Sequence, residues 1–366
     1  MIDYSNSILA LIASLLNHYG HSTKHQTLPE LDKLLIKDYN NIIVMLFDGM
    51  GTAIIEKHLS NDTFLRKHLK SSLSSVFPPT TTAATTTIET GLSPIEHGWL
   101  GWSLYFDEID ANVNLFPNTI SGSGGIQAAD YHVARKYIPY KDVFTKIRET
   151  GTAEAYYVSP FSSYNCKTLD AVFNTVQTLS KSDKRKYIYS YWHQPDFNMH
   201  ELGTESEIVK KDILDINDRV ERLSKSLKDT LLIVTADHGL IDTTWKSLTD
   251  YPSITDCLRR APCLESRALA FFIKPGMEAL FEREFTKYFS DCYKLYTKQE
   301  VIESKIFGNG TPNKRSFGFI GEYLAIAFSN ISIESSASTE HAQFKAAHAG
   351  LTENELSIPF IAIDLC

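Results

Sequence analysis

Asn41-Ile42-Ile43-Val44-Met45-Leu46-Phe47-Asp48-Gly49 decides the fold class. Seven apolar or nearly apolar residues run without alternation and stop at an acidic residue and a glycine. A run of that length reads as a strand buried on both faces of a sheet. The pattern returns in Lys186-Tyr187-Ile188-Tyr189-Ser190-Tyr191-Trp192, which ends near Asp196, and in Leu231-Leu232-Ile233-Val234-Thr235, which ends at Asp237-His238. A last apolar run, Ile358 to Ile363, follows His348. Between these lie helical patterns. Ile208, Val209, Ile213, Ile216, Val220, Leu223 and Leu227 mark one helix face ahead of the 231–235 strand. Strand, helix and strand in repetition predict an α/β sheet with helices on both faces.

Two regions break that rhythm. Residues 100 to about 180 open with the aromatic segment WLGWSLYFDEIDANVNLFPN (99–118) and the Gly/Ser stretch 121–125, and read in part as a lid-like insertion. Residues 245–340 contain strand-like 267–273, a helical run from Met277 to Phe289 and strand-like 323–328, which together predict a small inserted α+β subdomain. Ile8, Leu9, Leu11, Ile12, Leu15 and Leu16 recur at helical spacing, so the N-terminal segment is expected to be an amphipathic helix packed on the domain. It has no Lys or Arg before its apolar run, which argues against a secretory signal. No stretch approaches the ~20 apolar residues of a membrane span. A cytoplasmic location is expected, with no membrane or nucleic-acid partner; the sequence says nothing about oligomeric state.

The chain has 366 residues, 43% of them hydrophobic and 22% charged, a composition long and apolar enough for a sizeable core. Its net charge of −8 offers no concentrated positive field for a nucleic-acid backbone. Cys166, Cys257, Cys263, Cys292 and Cys366 form no CxxC pair, and read as ordinary thiols rather than a disulfide framework.

Chemistry gathers around Phe77-Pro78-Pro79-Thr80-Thr81-Thr82-Ala83-Ala84-Thr85-Thr86-Thr87-Ile88-Glu89-Thr90-Gly91. The prolines close an extended segment, and the residues up to Gly91 predict a helix. One of the early threonines then stands at the helix N-terminus, where free N–H groups favour an anion such as phosphate. A threonine hydroxyl is a weak nucleophile until a metal or a base activates it. The candidates for that task are carboxylates and imidazoles. Asp48 ends a buried strand, where an uncompensated charge is costly. Asp196 and His200 are four apart, on one face if their segment is helical. Asp237 and His238 follow another strand, and His348 lies in the small-residue loop Ala346-Ala347-His348-Ala349-Gly350. In an open α/β sheet such groups converge at the C-terminal ends of the strands. Three Asp and three His could hold two divalent ions about 4 Å apart, and mixed oxygen and nitrogen donors suit Zn2+ or Mn2+ better than Mg2+ or Ca2+.

The ordered series D-G, F-P-x-T-T…T-G-L-x-P-x-x-H-G, P-D-x-x-x-H, D-H-G and a late His resembles the alkaline phosphatase superfamily, and within it the nucleotide pyrophosphatase/phosphodiesterase branch. The resemblance runs from Asn41 through Gly91, resumes at Pro195–Gly203 and Thr235–Gly239, and ends with His348 and the last strand. It implies a three-layer α/β/α fold around a central, mostly parallel sheet, formed by residues 1–366 as a single catalytic domain. It also implies a roster of roles. Thr81, ten positions before Gly91, becomes the nucleophile and a ligand of one ion. Asp48, Asp237 and His238 complete that ion's shell, while Asp196, His200 and His348 hold the second. Two Zn2+ ions, with Mn2+ as the alternative, are the implied cofactors. The implied reaction is in-line displacement on a small phosphorus-containing substrate, a nucleotide among the candidates, through a phosphothreonine on Thr81. His97 belongs to a family phrase but is not among the implied ligands, and reads as structural.

One position departs from the eukaryotic members, which place an asparagine three residues after the nucleophile to grip a phosphate oxygen. Ala84 stands there, so the grip is expected from Thr85 or a backbone N–H. Trp99, Trp102, Tyr105 and Phe106 read either as a substrate wall or as core beneath the insertion. A phosphomonoesterase or a phosphonoacetate-like phosphonate hydrolase would use the same ligands. The sulfatases' Cys/Ser-x-Pro-x-Arg context is absent. A metal-binding scaffold without catalysis is the reading from outside the enzyme classes.

Overall fold

The structure, a computed structural model, describes residues 2–335 and 344–366. Its principal sheet has six strands, in the spatial order Leu69–Ser74, Ser357–Leu365, Thr230–Thr235, Asn41–Phe47, Lys186–Trp192 and Glu154–Val158. The 41–47 strand lies parallel to both 186–192 and 230–235, and 154–158 continues the parallel set. The 41–47 and 230–235 strands are buried at every position, as continuous apolar runs require. Helices Ile8–His18, Thr81–Thr90 and Val143–Glu149 pack on one another, and helix Glu207–Ser224 packs with the helices at 52–58, 64–68 and 169–180. The mostly parallel α/β fold expected from the sequence is the one observed.

The last strand, 357–365, is antiparallel to both of its neighbours. Its beginning, rather than its end, therefore lies where the parallel strands finish. The His348 loop, which precedes it, is delivered to the edge where Asp48, Asp196 and Asp237 emerge.

Three local expectations change. The 8–18 helix is not amphipathic in place: every residue from Ile8 to Leu16 is buried, because the helices at 29–34, 81–90 and 143–149 surround it. Ser14 satisfies its hydroxyl by accepting the Leu28 N–H at 2.8 Å. Ile208, expected on the buried face of the 207–224 helix, is exposed. The two irregular regions also divide differently. Strands Ser103–Phe106, Ala111–Asn114 and Thr119–Ile120, from the expected lid, join Cys263–Glu265, Ala268–Phe271, Tyr323–Ala327 and Tyr293–Thr297, from the expected subdomain, in one seven-stranded sheet. The junction is the antiparallel pairing of Leu264 with Ser103. Residues 143–180 return instead to the principal sheet, because the 154–158 strand pairs with 186–192.

The second sheet is antiparallel throughout, and its strands 268–271 and 323–327 alternate between two cores. Leu269, Phe271 and Ala325 face a core with Phe281, Phe285 and Phe289, while Ala268, Ala270, Leu324 and Ile326 face one with Trp99 and Phe106. Among the described residues no helix is long and apolar enough to cross a membrane. Cys166, Cys257, Cys263 and Cys292 are buried free thiols and Cys366 is an exposed one.

Candidate active site

Asp48 leaves the first strand and turns through Gly49, whose backbone has φ +71°. A side chain at that glycine would meet Leu240 at 2.6 Å and the Asp196 Cβ at 2.9 Å, so the motif requires glycine for space as well as conformation. The close approach ties two ligand turns together: the Asp196 N–H donates to the Asp48 carbonyl at 3.0 Å. Asp196 opens the helix Asp196–Leu202, which places His200 one turn later on the same face. Gly239, after Asp237-His238, is likewise required, since a Cβ there would lie 2.1 Å from the Asn354 carbonyl oxygen.

The sequence-predicted residues meet in two triads. Asp48, Asp237 and His238 bring one donor atom each within 4.8 Å of the others, and so do Asp196, His200 and His348. The triads adjoin: the rings of His238 and His348 stack at 3.9 Å, and those of His200 and His348 lie 5.2 Å apart. Thr81, the first residue of the helix Thr81–Thr90, puts its Oγ1 3.2 Å from His238 Nε2 and 3.4 Å from Asp48 Oδ1.

The donor chemistry fits divalent cations. His200 Nδ1 faces the Ala346 carbonyl at 2.7 Å, His348 Nδ1 the Pro79 carbonyl at 3.1 Å, and His238 Nδ1 the Gly239 carbonyl at 3.1 Å. A carbonyl can only accept, so each Nδ1 carries the proton and each Nε2 presents a lone pair. Those lone pairs look at carboxylates: His200 Nε2 is 3.4 Å from Asp196 Oδ1, and His238 Nε2 is 3.4 Å from Asp48 Oδ1 and 3.6 Å from Asp237 Oδ2. Asp196 Oδ1 and Asp237 Oδ2 have no hydrogen-bond partner among the described residues. Acceptors turned on acceptors in a buried site are stable only with positive charge between them. The same burial displaces the proton affinities of these groups. Burial, followed by the charges of Asp237 and Asp196, raises the Asp48 carboxyl well above its usual range, and burial raises Asp196 to about 7. Burial holds His200 down at about 4, and burial with the neighbouring imidazoles pushes His348 well below its usual range.

Several contributors were not legible in the sequence. The Tyr191 hydroxyl, from the neighbouring strand, donates to Asp48 Oδ2 and orients it. Glu265, on the second sheet, accepts the Thr80 hydroxyl at 2.6 Å and the Trp102 N–H at 2.7 Å through one oxygen, Oε1. The fully buried Glu355 joins the ligand loops. Its side chain accepts from Gly350 N at 2.7 Å and from Arg267 Nε at 2.7 Å and Nη2 at 2.9 Å, and its carbonyl accepts from Gly239 N at 2.9 Å. The T-x-x-E spacing of Thr352 and Glu355 signals the capping box that the structure contains. Nothing in it announces the link to Arg267.

Other expectations resolve on contact. The Thr85 hydroxyl donates back to the Thr81 carbonyl at 2.6 Å, so it is not available to grip a phosphate. His97 is buried, accepts the Trp99 N–H at 3.0 Å and lies 3.2 Å from the Thr87 hydroxyl. Of the four aromatics, only Trp102 lines the cavity beside Thr81. Trp99 and Phe106 are core, and Tyr105 packs against Arg260.

That cavity, about 290 Å³, is lined by Thr81, Asp196, His200 and His348 together with Trp102 and Glu265. Residues 42–268 match the model of the type I phosphodiesterase/nucleotide pyrophosphatase family. The chain belongs to that family. With membership comes the reaction class: this phosphodiesterase-family chain is a metal-dependent hydrolase of phosphodiester or pyrophosphate bonds. The matched span contains Thr81 and every ligand candidate except His348. No curated protein matches the sequence. Solved structures do match. Murine ectonucleotide pyrophosphatase/phosphodiesterase 5 shares 17% identity over 88% of this chain and 87% of that one, with a TM-score of 0.65. The human protein of the same name shares 16%, over 88% and 87%, at 0.66. An inactive variant of the murine protein in complex with AMP shares 16%, over 89% and 88%, at 0.65. At such identities the likeness is one of fold.

Proposed function

We propose that the chain hydrolyses phosphodiesters or pyrophosphates through a phosphothreonine on Thr81, with two divalent cations, Zn2+ first, held by the triads. The observation that carries the reading is the place of the Thr81 hydroxyl. It touches one triad and opens on the cavity that the other triad lines. Bound there, the cations would draw charge from the phosphoryl oxygens and lower the pKa of the Thr81 hydroxyl.

The chain's own residues account for the rest. Thr81 Oγ1 attacks phosphorus, a P–O bond to Thr81 forms, and the bond to the leaving alcohol or phosphate breaks on the opposite side. Water then attacks the phosphothreonine, returning the Thr81 hydroxyl and releasing the second product. The first-turn N–H groups of the 81–90 helix have no partners within the helix, and supply the phosphate grip that Ala84 cannot. Tyr191 and Glu355 hold the ligand-bearing turns in register.

The cavity lining contains no Lys or Arg among the described residues, which weighs against a phosphomonoester dianion or a phosphonoacetate carboxylate. A nucleotide-type diester is the second reading, favoured by the flat faces of Trp102, Phe197, Trp245 and Phe344 and by a structural neighbour described with AMP. The test is turnover of bis(p-nitrophenyl) phosphate against p-nitrophenyl phosphate, with Zn2+ or Mn2+ supplied, together with trapping of phosphate on the chain at low pH. Label recovered on a peptide without Thr81, or faster cleavage of the monoester, would overturn the proposal.

A further inference from the structure

We infer that Asp242 is a positioning residue for the cation held by Asp196, His200 and His348, although in sequence it follows Asp237-His238 of the other triad. The inference rests on the two-cation reading above and adds the residue that joins the separate segments of one site.

Asp242 stands where those segments meet. The short strand Ile241–Asp242 pairs antiparallel with Ala346–Ala347, the two residues before His348. The Thr243 N–H donates to the Lys345 carbonyl at 2.8 Å and extends the pairing. The His348 segment is bonded in turn to the helix Asp196–Leu202. The Lys345 N–H donates to the His200 carbonyl at 2.7 Å, and His200 Nδ1 donates to the Ala346 carbonyl at 2.7 Å. The Asp242 carboxylate completes the triangle: its Oδ1 accepts the Thr204 N–H at 2.7 Å, just past the C-terminal end of that helix.

The geometry around that bond is built for it. Thr204 is buried, and a buried amide left without an acceptor is costly. Gly203 has φ +85°, and a Cβ there would lie 3.4 Å from Asp242 Oδ1, so glycine makes the turn and leaves room for the carboxylate. Lys57 Nζ donates to the Thr204 hydroxyl at 3.1 Å, and His58 Nε2 to its carbonyl at 2.8 Å. Thr204 is therefore a fixed point, and a charge-assisted bond to it sets the distance between the helix that carries Asp196 and His200 and the strand that delivers His348. The first triad has other anchors. The Gly49 N–H donates to Asp237 Oδ1 at 3.1 Å, the Ser75 hydroxyl to the Asp237 carbonyl, and the Tyr191 hydroxyl to Asp48. None of these bonds involves Asp242, so its loss should loosen one ion and spare the other.

The test is Zn2+ stoichiometry and affinity of the full chain, measured by competition with a chelator and independent of turnover. The unsubstituted chain should bind two ions. Asp242→Ala should keep one at unchanged affinity and hold the other at least about tenfold more weakly, as when the support of a metal ligand is lost. Asp242→Asn, whose amide oxygen can still accept from Thr204, should restore most of that affinity. Asp242→Ser, one atom short of the contact, should behave like the alanine variant, and the serine and asparagine pair carries the test if the alanine chain does not fold. In His348→Ala, which lacks a ligand of the second ion, adding Asp242→Ala should leave the affinity of the remaining ion unchanged. Equal weakening of both ions, weakening of neither, or an asparagine variant no better than alanine or serine would overturn the role of Asp242 and leave the two-cation reading standing. A single ion in the unsubstituted chain would remove both.

Discussion

The two sheets of this molecule obey opposite rules and perform opposite parts of the task. In the principal sheet the three central strands, 41–47, 186–192 and 230–235, are buried almost throughout, and acidic residues follow their C-terminal ends, so that edge collects Asp48, Asp196 and Asp237. In the second sheet, strands 268–271 and 323–327 turn successive residues to two different apolar cores. Glu265, at the end of the short strand 263–265, lines the site together with Cys263 and Leu264. One sheet brings together donors that were already conspicuous as motifs. The other brings Glu265, which no motif marks, and Trp102, which the sequence left open between substrate wall and core. A parallel sheet concentrates function at an edge, whereas an antiparallel sheet can present a substrate wall from its face.

The division can be broken by substitution. Thr81→Ala removes the hydroxyl at the principal sheet's edge. Turnover of a chromogenic diester should fall by at least about 10³-fold while metal content per chain is unchanged. Loss of both together would make Thr81 an anchor of the site rather than its nucleophile. Next in size is the joint between the sheets. Glu355→Ala leaves Arg267 buried beside an empty acceptor and should destabilise the fold by about 3 to 5 kcal/mol, read from the denaturant midpoint. An unchanged midpoint would show that the sheets do not depend on this pair.

Tyr191→Phe deletes only the hydrogen bond to Asp48. Metal affinity should drop by about 10- to 100-fold in competition with a chelator, at nearly constant KM. The smallest effect belongs to the second sheet's wall. Trp102→Ala should raise KM about fivefold, close to 1 kcal/mol, with metal binding unaltered. Trp99→Ala, three residues away but buried, should instead lower stability by about 3 to 5 kcal/mol. If Trp102→Ala reduced metal binding, the separation of duties between the sheets would fail.

Much of the fold and of the candidate metal site was legible because both rest on local signals. Continuous apolar runs marked the strands, and each run ended in a short phrase with an acid, a histidine or a glycine whose conformation or close approach the backbone demands. Boundaries were less legible. The expected lid and subdomain merged into one sheet because strand pairing such as Ser103 with Leu264 is a long-range hydrogen-bond choice that leaves no trace in either segment alone. The 8–18 helix misled for a related reason: periodicity reports an exposed face only when no other element covers it, and here three do.

The sequence by itself determined the order of the family's motifs and the roster of candidate donors, since each acid, imidazole and hydroxyl is legible in its own short phrase. Only the tertiary structure decided which imidazole nitrogen each histidine offers, and that Tyr191, Glu265 and Glu355 serve the site; it gathers the six donors in the two sets that the resemblance implies. Those outcomes depend on distances between side chains remote in sequence, and such distances exist only after the chain has folded.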